Sequence, residues 1–99
     1  MGEDMARFVS LLNWTDQGAK TVTDTVNRAE AAQKAAAEMG GSVEIYWTMG
    51  QYDMIAITEF ADDETAVAFL AKVSSLGNIR SQTMRAFDAD AVRGIMGKM

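Results

Sequence analysis

Apolar positions along this chain fall into blocks whose period changes from one block to the next. Arg7 to Trp14, RFVSLLNW, is short and rich in strand formers. Both of its faces are apolar, with Phe8, Leu12 and Trp14 on one and Val9 and Leu11 on the other. A strand of that kind belongs inside a sheet covered on both sides. Ser42 to Met49, SVEIYWTM, alternates Val43, Ile45 and Trp47 against Glu44, Tyr46 and Thr48, the pattern of a half-buried strand. A tight turn at Met49-Gly50 leads back into Tyr52 to Phe60, whose middle, Met54-Ile55-Ala56-Ile57, is again apolar on both faces. Ile79 to Phe87 is more polar and carries Arg80 and Arg85, which suits a sheet edge.

Helical spacing fills the gaps between these strands. Thr15 or Asp16 caps a helix start, and the β-branched run from Thr21 to Val26 predicts a break after it. Asp24 is placed to cap a stronger helix from about Thr25 to Met39, with Val26, Ala29, Ala36 and Met39 as its apolar line. That small-residue face lets the helix lie close on a sheet, and Gly40-Gly41 ends it. Asp62 caps a helix from Asp63 to about Leu76, with Ala66, Phe69, Leu70 and Val73 as its buried stripe and Gly77 as its stop. A short amphipathic helix follows from about Asp88, with Val92, Ile95 and Met96 on one side.

The order is β-α-β-β-α-β plus a C-terminal helix, an α+β chain of ferredoxin-like type. It predicts one domain over residues 1–99, with a four-stranded antiparallel sheet in the order 4-1-3-2 and two helices on one face. That topology puts the first and third strands in the centre, where their composition also puts them. Pairing Asn13 with Asp53 sets Leu11 opposite Ile55 and Val9 opposite Ile57. Phe8, Leu12, Trp14, Met54 and Ala56 then share one face with Val43, Ile45 and Trp47, and this face is expected under the helices. The other face has an aliphatic centre of Val9, Leu11, Ile55 and Ile57, ringed by Asn13, Glu44, Tyr46, Asp53 and Glu59. An uncovered patch of that kind is an association site, and a second copy of the chain is its simplest partner. The alternative cover is the C-terminal helix folded back.

Composition narrows the chemistry. The chain has 99 residues, no cysteine and no histidine, so disulfides, thiolate metal sites and histidine-based catalysis are excluded. No metal site and no cofactor are expected. A net charge of −5 argues against nucleic acid and against an anionic membrane surface. No apolar run reaches the roughly 20 residues of a membrane span. The acidic start Met1-Gly2-Glu3-Asp4 lacks the basic beginning of a signal peptide, so a cytoplasmic location is expected. The eight methionines are expected to fill gaps in cores and interfaces.

Three ordered stretches resemble the GYD domain family: Leu11-Leu12-Asn13-Trp14-Thr15-Asp16-Gln17-Gly18, Tyr46-Trp47-Thr48-Met49-Gly50-Gln51-Tyr52-Asp53 and Leu76-Gly77-Asn78-Ile79-Arg80. The Gly-x-Tyr-Asp signature of that family corresponds here to Gly50, Tyr52 and Asp53. Family members often carry a proline where this chain has Thr25-Val26. The resemblance runs from about Phe8 to Ile95 and implies a fold of the dimeric α/β-barrel group. It carries over no catalytic residue. That wider group contains cofactor-free monooxygenases, lactone isomerases, haem enzymes and ligand-sensing domains, and fold alone does not choose among them.

All three stretches converge on one end of the sheet. Asn13, Trp14, Trp47, Tyr52, Asp53 and Arg80 are the expected ligand-binding residues there, with Asn78 beside them. For catalysis, Asp53 would be a base or anchor, Tyr52 a hydroxyl donor and Arg80 an anion clamp. The plainer roles are packing for Trp14 and Trp47, turn geometry for Gly50, and hairpin hydrogen bonds or an Arg80 pair for Asp53. Tyr52 would then be a cross-strand neighbour of Trp47. The expected function is binding or sensing of a small organic molecule by a homo-oligomer. The alternatives are a cofactor-independent enzyme and a purely structural protein.

Overall fold

Residues 5–99 are described by the structure, a computed structural model; the acidic start on which location was read lies outside the described residues. Four strands, β1 (Ala6–Trp14), β2 (Ser42–Trp47), β3 (Met54–Phe60) and β4 (Ile79–Ala86), form one antiparallel sheet in the order β2-β3-β1-β4. The doubly apolar strands are the central pair and the polar β4 is an edge. The central register sets Val9 opposite Ile57 and Leu11 opposite Ile55, as the alternation of side chains requires.

Four helices accompany the sheet among the described residues: α1 (Asp16–Lys20), α2 (Thr25–Glu38), α3 (Asp63–Ser74) and α4 (Ala89–Met96). Thr15 caps α1 by accepting from the Gly18 amide. The β-branched run breaks the helix as expected, into a single 3-10 turn at Val22–Asp24. Asp24 occupies the cap position of α2 but makes no side-chain capping bond, because the 3-10 turn enters the helix directly. Val26, expected in the apolar line, is 53% exposed, and Ala29 and Ala36 are the buried positions of α2. Asp62 caps α3 at 2.7 Å from the Thr65 amide, and Asp88 caps α4 at 2.8 Å from the Ala91 amide.

The core lies between α2, α3 and the sheet face that carries Phe8, Leu12, Met54, Ala56 and Phe60. Its lower end is plugged by Phe60 and Phe69, whose ring centroids are 5.1 Å apart. Burial of aromatic side chains of this size is the largest single contribution to such a small core. Met54 is buried and Met39 packs against the core, whereas Met5, Met49, Met84, Met96 and Met99 are exposed in the single chain.

On the opposite face, Val9, Leu11, Ile55 and Ile57 are only half-buried. Tyr46 and Met84 extend this patch to both edges, opposite Ile55 and Val9 in the register. No residue of α4 is buried, and Val92, Ile95 and Met96 remain exposed, so the C-terminal helix does not cover the sheet. Among the described residues, no helix is long and apolar enough to cross a membrane.

Candidate functional site

The sheet end that collects Trp14, Trp47, Asp53, Asn78 and Arg80 has two sides, because neighbouring residues on a strand point to opposite faces. Trp14 pairs with Ile79 and points with it to the helix side. Asn13 pairs with Arg80, and both belong to the open side. The six residues expected to form one ligand site are therefore brought to one end but divided between two faces.

On the open side, Tyr52 donates its hydroxyl to Gln82 at 3.4 Å, and Asn13 donates its amide to the Gln51 carbonyl at 3.0 Å. Tyr52 is thus placed against β4 rather than across from Trp47. Arg80 is exposed and forms no ion pair among the described residues. Asp53 sits between the two sides. Its carboxylate accepts from the Trp14 backbone N–H at 3.0 Å and from the Asn13 side chain at 3.3 Å. It is spent on fixing the end of β1 and is not paired with Arg80.

The loop carrying the Gly-x-Tyr-Asp signature is wider than the expected tight turn, since β2 and β3 last pair at Trp47 and Met54. Thr48 closes it, donating its amide to the Asp53 carbonyl at 2.9 Å and its hydroxyl to the Tyr52 carbonyl at 2.6 Å. Gly50 has φ of +123°, a conformation that a side chain would strain, with open space around it. Trp47 donates its indole N–H to Thr25, at the start of α2, at 3.0 Å.

On the helix side the structure holds an open groove of about 250 Å³ between α2, α3 and the sheet. Its walls are mainly aliphatic, with Leu12, Ile45, Ala32, Phe69, Leu70 and Val73 prominent. Ser10 and Thr58 are buried in its floor, and Ser10 shares a 2.8 Å hydrogen bond with Thr83. The alanine stripe of α2 explains the space. It fits tightly at fully buried Ala36, but at Ala29 and Ala32 a single methyl leaves the gap to α3 unfilled. Composition alone suggested only close packing, because the separation of α2 from α3 is a tertiary property.

Trp14 lines this groove, and its Nε1 is the one buried side-chain nitrogen or oxygen without a hydrogen-bond partner among the described residues. A buried unpaired donor costs about 1–3 kcal/mol. Sequence reasoning picked out Trp14 but missed Arg28 and Lys72, which lie on the groove's two helical walls. Charged positions on a helix belong by default to its solvated face. No group of three or more His, Cys, Asp or Glu that could hold a metal ion occurs among the described residues.

Residues 8–96 match the GYD domain. The chain belongs to the GYD domain family. Among solved structures, this GYD protein is similar to a candidate chlorite dismutase, TA0507, with a TM-score of 0.58 and 16% identity over 95% of this chain. The chain spans about half, 49%, of that longer protein. It is also similar to a conserved Bacteroides thetaiotaomicron protein of unknown function, suggested to be an oxidoreductase. There the TM-score is 0.52 at 10% identity, over 86% of this chain and 100% of the other. At such identities the likeness is one of fold. No curated protein matches the chain in sequence.

Proposed function

We propose that this GYD protein binds a small, largely apolar organic molecule in the groove between the sheet and its two main helices, as a binding or sensing module. The observation that carries the reading is an apolar groove enclosed by α2, α3 and the sheet and walled in part by Trp14. Apolar walls with a few polar groups are the usual build of a ligand site. At about 250 Å³ this one lies just below the usual span of about 300–1,000 Å³, which fits a small ligand.

The cofactor-independent enzyme is less well supported. No carboxylate or tyrosine lines the groove among the described residues. Of the candidate catalytic residues, Tyr52 and Arg80 lie on the other face, and Asp53 is held by Trp14 and Asn13. Assembly belongs to the same proposal. A second copy meets the first through the open face with Val9, Leu11, Ile55 and Ile57, which leaves both grooves free on the outside.

The neutral dye N-phenyl-1-naphthylamine tests the groove. Its fluorescence should rise on binding, and Ala32→Phe, which fills the groove, should abolish the rise without unfolding the protein. No enhancement in the unaltered chain, or an enhancement untouched by Ala32→Phe, overturns the reading.

A further inference from the structure

We infer that the groove ligand is an apolar anion, a small monocarboxylate whose head sits at the Trp14 end and whose tail runs down toward Phe69. This rests on the groove reading above and adds the charge and direction of the ligand.

The chain is acidic, with 14 Asp and Glu against 9 Lys and Arg. Yet the charged residues lining the groove are Arg28 and Lys72, and no Asp or Glu lines it among the described residues. Both cations stand at the same end. β1 runs up to Trp14, α2 starts back down from Thr25, and α3 climbs antiparallel to β3 to finish at Ser74. Arg28 on the first turn of α2 and Lys72 on the last turn of α3 therefore flank the Trp14 end from opposite walls. The other end is shut by Phe60 against Phe69.

Among the described residues, no carboxylate is paired with either cation. Arg28 donates to the Thr21 hydroxyl at 2.8 Å and to the Gly18 carbonyl at 3.2 Å, both uncharged. Neither Arg28 nor Lys72 forms an ion pair among the described residues. Asp16 and Asp24, on the segment before α2, do not line the groove, and the Asp53 carboxylate is occupied by Trp14 and Asn13. Two unpaired cations at the mouth of an apolar trough complement a carboxylate on an apolar tail. The guanidinium keeps donor capacity beyond its two neutral partners, and a carboxylate is its preferred acceptor.

Three probes of equal chain length decide it: octanoate, octanol and octylamine, titrated calorimetrically into the full chain. Octanoate should bind about tenfold tighter than octanol, and octylamine weaker than both. The double variant Arg28→Gln, Lys72→Gln should bring octanoate to within about twofold of octanol while octanol is unchanged, which also shows that the groove is intact. If the double variant does not fold, Lys72→Gln alone should weaken octanoate about threefold, because exposed Lys72 makes no side-chain bond that folding needs. Equal binding of octanoate and octanol, or tighter octylamine, overturns the anion and leaves the groove reading standing. Binding of none of the three, with the neutral dye also silent, overturns both.

Discussion

The carboxylate of Asp53 accepts the backbone N–H of Trp14 at 3.0 Å. The last residue of the Gly-x-Tyr-Asp signature thereby holds the residue whose indole walls the groove. Asp53 is a positioning residue in this arrangement. Asp53→Ala should cost about 1–2 kcal/mol in urea unfolding, and Asp53→Asn, which keeps an acceptor, less than that. Tryptophan emission should shift in the alanine variant. Equal losses for both variants would show that the charge, rather than the acceptor, matters.

Gly18 is buried where α1 meets the loop before β4, and a Cβ there would run into the Asn78 carbonyl. Its own carbonyl accepts from Arg28. Gly18→Ala must push α1 off that loop, at an expected cost of about 1–3 kcal/mol, and should weaken octanoate binding through Arg28. An alanine variant as stable as the parent protein would show that α1 is not seated on Asn78.

Ile55 and Ile57 stand at the centre of the uncovered sheet face, each half-buried in the single chain. Covering each of them is worth on the order of 1 kcal/mol. Light scattering at micromolar concentration should show a dimer or a multiple of one. The double change Ile55→Asp, Ile57→Asp should release monomers that still bind the neutral dye. A dimer that survives the double change places the interface elsewhere.

The Thr65 amide holds the Asp62 carboxyl below its ordinary value, through the cap of α3. A carboxyl lowered on folding binds fewer protons in the native state than in the unfolded one. Its stabilisation is present above the unfolded value of about 3.9 and is lost as pH falls through the lower native value. Stability measured from pH 6 down to pH 2 should therefore decline over the acid end, and Asp62→Asn should make that decline shallower. An identical acid slope in the asparagine variant would assign the decline to other carboxylates.

The strand order was legible because burial on two faces leaves a local mark. Val9, Leu11, Ile55 and Ile57 alternate with Phe8, Leu12, Met54 and Ala56, and only central strands tolerate apolar residues on both sides. The cap at Asp62 and the break after α1 were legible for the same reason, since each depends on a few neighbouring residues. The tertiary structure decided what depends on distances between elements. The alternation of side chains sends Trp14 to the helix side and Asn13 and Arg80 to the open side, although all three come to one end. The gap between α2 and α3 turned an alanine stripe into a groove and drew Arg28 and Lys72 to it from separate helices. Periodicity within one element carries no information about how far its neighbour stands, and the groove is made of that separation.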